Sequence, residues 1–392
     1  MKVLIQGAGP AGLTLALALK RHKIETTIVE RAAPGRSGGY VVGLRHNGLR
    51  AMEALGLKDA LIERQISLSN AHYYRTDGRP FVKFNYAKLL AAAPGGMLAI
   101  LRDDIMSVLE DAAKDLDIRY ETTVRSVEEL TDTIRVSFSD DTGEEFDAVI
   151  AADGYRSALR KMLFDPQGNC TTELGYRVAA WRYAPNKTQE KSVSGVSEVG
   201  RQATVYRLRD GSAETLLCWQ DKDVSRHDTA KKQQTVMKVF GECPEPIQGA
   251  ISSCEDWSES FADTMALVEM SRWSKGRVAL LGDAAWSLAL ISGEGPSTAM
   301  AGAMVLAEEL AKAEDVGTAF NVYEDRLRPV VTKLQASAKR VAGQFVPASG
   351  FGMTMQKLMM PLMTSRLLLP LVLKRSLAPM IAFSETLPEA KT

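Results

Sequence analysis

The sequence predicts an α/β protein: a Rossmann-like nucleotide-binding domain, an inserted and mostly antiparallel β-sheet, and a C-terminal helical segment. Three observations predict it. A glycine-rich turn sits between an apolar strand and a helix at the N-terminus. Two later apolar runs each end in an aspartate, Asp153 and Asp283. Between them, from Phe164 to about Ala266, short alternating runs replace the apolar ones.

The first element is "KVLIQ" (2–6), rich in β-branched and apolar residues and read as a buried strand. "GAGPAG" follows, with Gly7, Gly9 and Gly12 in GxGxxG spacing, then "LTLALALKRH" as a helix. "TTIVE" (26–30) is a second strand ending in Glu30, 23 residues after Gly7. A dinucleotide requires this layout. Gly7 permits the tight turn, Gly9 lets the backbone approach a pyrophosphate, and Gly12 lets helix and strand pack closely. The helix start offers unpaired N–H groups and the positive end of its dipole. Glu30 would accept from ribose hydroxyls and repel a 2′-phosphate, so FAD or NAD is favoured over NADP here. The motif does not separate FAD from NAD.

"FDAVIAADGYRSALR" (146–160) is another apolar strand, ending in Asp153-Gly154, and "GRVALLGDAAW" repeats the idea with Asp283. A carboxylate at a buried strand end is costly unless hydrogen-bonded. Ligands of open α/β sheets lie beyond the strand ends. Two such acids beside the glycine loop indicate a long polyhydroxylated ligand lying across several strands. After Gly295, Pro296 opens a helix, "STAMAGAMVLAEELAKA", whose N-terminus would present positive partial charge to whatever precedes it.

The middle of the chain reads as an antiparallel sheet: "YRVAAWRYA" (176–184), "KSVSGVSEV" (191–199), "RQATVYRLR" (201–209) and "ETLLCWQ" (214–220), with "DGS" (210–212) as a hairpin signal. "HYYRTDGRPFVKF" (72–84) is read as a hairpin of the same layer, and residues 229–243 as an amphipathic helix. Trp181, Tyr206 and Trp219 would wall an aromatic pocket or pack in the core, and packing is the commoner fate of such residues. The tail opens with a helix over 323–342, followed by a Met- and Leu-rich stretch. Packing against the body is the expected role of that stretch. A dimer face or a peripheral membrane contact is the alternative.

Composition sets limits. The 392 residues carry 48 basic and 48 acidic side chains, so no whole-protein field attracts nucleic acid, and no contiguous block of like charge appears. Four cysteines without a CxxC pair are no disulfide scaffold, and four scattered histidines give no metal-ligand spacing. Lys2 and the following apolar run imitate a secretory leader as far as Ala16–Ala18, but the glycine spacing argues against one. The stretch near 358–374 is broken by Pro361, Arg366 and Pro370, so no spanning helix is expected. A cytoplasmic monomer or homodimer is the expectation.

With these motifs in hand, the sequence resembles the FAD-dependent aromatic hydroxylases, the group of para-hydroxybenzoate hydroxylase and the tetracycline-modifying monooxygenases. The motifs are "GAGPAG…E" at 7–30, "ADG" at 152–154, "GDAA" at 282–285 and the helix-opening Arg102. The resemblance implies FAD, with NADPH or NADH as transient reductant. It implies oxygenation of an aromatic or polyketide-like molecule by O₂ through a flavin C4a-(hydro)peroxide, in secondary metabolism or antibiotic modification. An oxidase, dehydrogenase or reductase on the same scaffold is the alternative reading, and a non-enzymatic FAD or NAD sensor a third.

The resemblance also implies residue roles. Gly7, Gly9, Pro10, Ala11 and Gly12 would hold the pyrophosphate, and Glu30 the adenosine ribose with Arg31 nearby. Arg102 would contact the ribityl or phosphate region, and Asp283 a ribityl hydroxyl. Asp153 and Gly154 would lie near the pyrophosphate and the NAD(P)H path. Arg45 would pass close to the ring, beside Gly293, Glu294, Gly295 and Pro296 at a helix N-terminus that stabilises the reduced ring. Residues 1–71, 97–165 and 267–320 would form the FAD-binding domain, 72–96 and 166–266 the substrate-binding domain, and 321–392 the C-terminal segment. Three departures stand out: Trp286 directly after "GDAA", a following loop without proline, and Glu294 where the family often has a neutral residue. The run Ala284–Ser292, with Trp286, would line the ring or substrate. No catalytic base is identifiable, and Arg45 and Glu294 are the candidates.

Overall fold

The computed structural model describes residues 1–35, 38–93, 95–185, 192–221, 231–290, 293–347, 349–363 and Leu387. A six-stranded sheet has the spatial order β17 (Ser274–Lys275), β18 (Val278–Leu280), β11 (Ala148–Ala151), β1 (Lys2–Gln6), β2 (Glu25–Val29) and β7 (Asp117–Arg119). All its pairings are parallel except β17 with β18. Val3–Ile5, Ala148–Ala151 and Val278–Leu280 are buried residue after residue, as expected for a parallel sheet covered on both faces. Helix α1 (Pro10–Arg21) packs on α10 (Gly295–Lys312), which also meets α2 (His46–Leu55) and α11 (Val316–Phe345). Helix α5 (Arg102–Ala112) flanks α1, and α3 (Lys58–Glu63) and α6 (Ala158–Leu163) are short. A three-stranded antiparallel sheet, β8 (Val124–Glu129), β9 (Ile134–Phe138) and β10 (Gly143–Phe146), packs Phe138 and Phe146 into the same core.

The second large sheet has seven strands in the order β16 (Phe261–Val268), β12 (Thr171–Tyr183), β15 (Ala213–Gln220), β14 (Arg201–Arg207), β13 (Ser192–Glu198), β4 (Asn70–Tyr74) and β5 (Pro80–Asn85). Only β13 with β4 is parallel. The hairpin expected at 72–84 therefore does join this layer. The period of two divides its faces. Tyr206, Leu216 and Cys218 look towards a core shared with Tyr73, Phe84, Ala289 and Leu290. Trp181, Leu217 and Trp219 look the other way, under α7 (Lys232–Phe240) and α8 (Ile247–Ser252). A two-stranded antiparallel ribbon, β3 (Val41–Arg45) with β6 (Met97–Leu101), stands beside both cores, and α4 (Tyr86–Ala91) precedes β6. Helices α9 (Asp283–Trp286) and α12 (Gly350–Met363) complete the described elements.

Most expected elements fall in place with shifted ends. Helix α1 begins at Pro10, earlier than the apolar run, because proline suits the first turn. Helix α11 begins at Val316, seven residues before the expected start, because Asp315 caps it by accepting from Thr318 N at 2.9 Å. Of the helix expected over 229–243, residues 229 and 230 lie outside the described residues. The ribbon β3–β6 and the sheet β8–β10 were not anticipated.

One inward group on the seven-stranded sheet is out of character. Glu214 is 2% exposed, and its Oε1 has no hydrogen-bond partner among the described residues. Burial pushes its carboxyl up from 4.5 to about 9, Asp103 adding to the shift and Arg182 opposing it. A folded pKa above the unfolded one contributes stability that is complete below the unfolded value and lost as pH rises through the folded value. Stability should therefore fall between 4.5 and about 9. Glu214→Gln should remove that slope and raise stability at the alkaline end by about 1–3 kcal/mol. Denaturant titrations across this range check it, and an unchanged slope would mean that the acid is not buried.

Candidate active site

The glycine loop leaves the end of β1. Gly7 has φ +110°, and its N–H donates to Val29 O at 2.8 Å. A Cβ on Gly7 would stand 2.5 Å from Ala152 O, and one on Gly12 1.9 Å from Gly7 O. A Cβ on Gly9 would meet nothing within 4 Å. Two glycines are thus required by backbone contact inside the fold, and the third faces open space. No side chain caps α1, whose N-cap is Gly9. The first N–H groups of the helix accordingly face a space suited to an anion.

Glu30 lies just past β2. One carboxylate oxygen accepts from Ala8 N at 2.9 Å, the other from Ala32 N at 2.8 Å. It braces the loop directly, a task the sequence did not disclose. Each oxygen keeps a further lone pair for a ribose hydroxyl. Arg31 is exposed.

Asp153 follows β11. Its Oδ2 accepts from Gln6 Nε2 at 2.7 Å and from Ala158 N at 2.8 Å. Its Oδ1 is buried without a partner among the described residues. Next to it Gly154, φ +81°, has open space where a side chain would be.

Asp283 starts α9 and is half-buried. Loss of hydration pushes its carboxyl up to about 6; Arg102 and Arg160 oppose the shift and Asp263 adds to it. Arg102 opens α5, where its N–H donates to Tyr40 O at 3.0 Å. Burial lifts the Tyr40 phenol to about 12, with Arg102 again opposing and Asp283 and Asp263 adding. Asp263, from β16, accepts from Tyr155 and from Arg156 at 2.7 Å. Arg102 and Asp283 thus act on each other electrostatically, and Tyr40 and Asp263 join them. These two gave no sequence signal, because only the pairing of β16 with β12 brings Asp263 to this edge.

A carboxyl raised by lost hydration should respond to a hydrogen-bond donor. Asp283→Asn removes the buried charge, so the ligand-free protein should gain stability above about pH 6. FAD affinity should fall about 10- to 100-fold, the worth of a hydrogen bond to a charged group. Thermal melts with and without added FAD check both signs.

At α10, Glu294 is the N-cap residue, and Gly295 and Pro296 begin the helix. Proline takes the second position instead of the first. Arg45 Nη1 contacts Glu294 Oε1 at 2.9 Å, both side chains being largely buried. The Arg45 N–H donates to Ser297 Oγ at 2.9 Å, which ties the end of β3 to the same helix. Burial raises the Glu294 carboxyl and Arg45 opposes that. The two candidate catalytic residues thus form one ion pair, which the sequence did not disclose. Gly293 turns with φ +63° directly before it.

The aromatic expectations divide. Tyr206 faces inward, with Tyr73 and Phe84 in its cluster. Trp181 does not wall the site: its indole donates to Ala250 O at 3.1 Å and its ring lies 5.1 Å from Trp257, on the outer face. Trp219 packs 5.9 Å from Phe240, also outside. Alternation along β15 forces this, since Trp219 and the inward Cys218 are neighbours in sequence. Trp286 is 1% exposed and packs against Trp273 and Tyr323 at 4.4 and 6.0 Å. Leu288 shares that core. The run after Asp283 therefore lines the site only in part, and residues 291 and 292 lie outside the described residues.

The donor set suits FAD. An uncapped helix start, open space at Gly9 and Gly154, an unsatisfied Asp153 oxygen and an under-solvated Asp283 stand at the ends of adjacent strands, β1, β11 and β18. No cluster of potential metal ligands occurs among the described residues.

Known proteins agree. The model of the FAD binding domain family matches residues 1–338. An FAD-dependent monooxygenase, asL4, of Sarocladium schorii is 27% identical over 392 residues, covering 91% of this chain and 90% of that protein. Among solved structures, the tetracycline destructase Tet(51) superposes with a TM-score of 0.83 at 24% identity, covering 99% of both chains. Tet(55) gives 0.81 at 25% identity, covering 99% of this chain and 98% of that one. The chain belongs to the FAD binding domain family and is a flavin-dependent monooxygenase.

Proposed function

We propose that the enzyme consumes NADPH or NADH and O₂ to oxygenate an aromatic or polyketide-like small molecule. The observation that carries this reading is the inward face of the seven-stranded sheet. Tyr73 stacks on Phe84 at 6.2 Å and Phe84 on Tyr86 at 5.8 Å. Tyr206 belongs to the same cluster, which closes against Ala289 and Leu290 of the segment that follows Asp283. A flat, phenolic guest fits such a wall. The destructases with the same fold are named for tetracycline, a polyketide, which supports the substrate class.

FAD, when bound, supplies the electron transfer and the oxygen chemistry. The chain supplies position and charge. Gly7, Gly9, Pro10, Ala11 and Gly12 hold the pyrophosphate and Glu30 the ribose, with Arg31 beside it. Asp153 accepts a hydrogen bond at its free oxygen, with Gly154 leaving room beside it. Arg102 and Asp283 bind the polyhydroxylated linker. Gly293, Glu294, Gly295 and Pro296 bring the α10 start to the ring, where Arg45 neutralises Glu294. The sheet and Leu290 exclude water from the reacting face. In this reading residues 1–71, 97–165 and 267–320 bind the cofactor, and 72–96 and 166–266 the substrate.

The overall balance is substrate–H, O₂, NAD(P)H and a proton in; substrate–OH, NAD(P)⁺ and water out. Turnover under ¹⁸O₂ with a panel of phenols and polycyclic polyketides tests it. One labelled oxygen in the product with one reductant consumed is the expected result. Peroxide in stoichiometric yield with an unlabelled product would replace it with an oxidase or dehydrogenase reading.

A further inference from the structure

Helix α12 docks by one side only. Met353 packs against the inward core of the seven-stranded sheet, and Gln356 accepts from Ser197 Oγ at 3.0 Å. At 100° per residue, positions 351, 355 and 358 fall on the opposite side and 359 on its flank. There Phe351 is 75% exposed, Leu358 60%, Met355 43% and Met359 41%. These four are among only ten large apolar side chains exposed in the described residues, so the exposure is concentrated, not scattered.

The zero net charge conceals an asymmetry around this helix. From Arg326 to Ser384 there is no aspartate or glutamate in 59 residues, where the chain's average would place about seven. The same run holds nine basic residues: Arg326, Arg328, Lys333, Lys339, Arg340, Lys357, Arg366, Lys374 and Arg375. Arg326, Arg328 and Lys339 are paired with acids elsewhere. Lys357 is exposed on α12 itself.

We propose that the outer face of α12 rests on an anionic lipid surface. An apolar strip within an acid-free stretch of sequence that carries lysine and arginine combines burial of side chains among acyl chains with attraction to negative headgroups. A second copy of the chain is the poorer partner, because it would bring the same basic segment against itself. The helix has 14 residues, about 21 Å, against a hydrocarbon core of about 30 Å. It would lie in the interface, and no described helix is long and apolar enough to cross a membrane. A peripheral position would suit an enzyme whose flat, apolar guest partitions into lipid.

The test is co-sedimentation of the FAD-loaded full chain with vesicles of phosphatidylcholine alone or mixed with phosphatidylglycerol. Binding should be about tenfold stronger to the mixed vesicles and should weaken with salt. Phe351→Ser with Leu358→Ser should weaken it at least several-fold, and Lys357→Glu should weaken it less, with FAD content and melting temperature unchanged. Wild-type protein that stays in solution with both vesicle types overturns the proposal. So does a double variant that binds as well as wild type. A fall in melting temperature in the double variant also overturns it, because the face is then packed against protein. A concentration-dependent dimer that the double variant abolishes, without vesicle binding, assigns the face to self-association instead.

Discussion

Gly12→Ala should yield protein that holds no FAD through purification. The added Cβ would lie 1.9 Å from Gly7 O, a backbone atom that cannot swing aside. Relief requires α1 to move off β1, and with it the helix start that faces the cofactor. Strain of this kind costs about 1–3 kcal/mol in stability. Displacing the anion site should lower FAD affinity by roughly two orders of magnitude or more. Gly9→Ala separates the two causes. Its Cβ meets nothing within 4 Å of the protein, so the ligand-free fold should melt as wild type while FAD binding weakens. Flavin fluorescence titrations beside melts of the stripped proteins check the pair. Equal FAD affinity in Gly9→Ala and wild type would place the pyrophosphate elsewhere.

Arg45→Ala should be the most damaging substitution outside the glycine loop. It leaves the Glu294 side chain, 11% exposed, without its cation. Breaking a buried pair by removing one partner costs about 3–5 kcal/mol. The Glu294 carboxyl is already raised by burial, and loss of Arg45 removes what opposes that rise. A raised carboxyl contributes stability below its unfolded pKa and loses it as pH climbs through the folded one. The variant should therefore be less impaired in acid than in alkali. Arg45→Ala combined with Glu294→Gln should recover most of the loss, because no buried charge then remains. Chemical denaturation of the four proteins at two pH values measures the coupling. Additive effects would mean that the two side chains act separately.

The glycine loop and the strand-end acids were legible in the sequence because their reasons are local. Gly7, Gly12 and Glu30 lie within one strand–helix–strand unit, where spacing alone fixes who touches whom. Arg102 could be read only through a resemblance, since nothing in its own segment ties it to the site. Tyr40 and Asp263 were invisible, because their place depends on long-range pairing of β16 with β12 and on the ribbon β3–β6. The tryptophans kept two roles open for a related reason. A period of two shows that neighbouring residues face opposite ways, but not which face meets the cofactor. Trp181 and Trp219 took the outer face when α7 and α8 arrived to cover it. The ion pair of Arg45 with Glu294 joins positions 249 residues apart. No pattern within either segment announces it.

That separation has a consequence for how the protein is made. In the parallel sheet β1 pairs with β11, and β11 with β18, so neighbours in space leave the ribosome far apart in time. The glycine loop is complete at Gly12, but the helix start that completes the site waits until Pro296, 284 residues later. At 5–20 residues per second the interval is about 15–60 s. Throughout it, apolar strands that end up covered on both faces lack their final neighbours. Contacts of such high sequence separation also make for slow folding. Free FAD cannot recruit the fold early, because no complete cradle exists until Pro296 has been made. Yield in a heterologous host should therefore depend more on chaperone supply and growth temperature than on the flavin content of the medium.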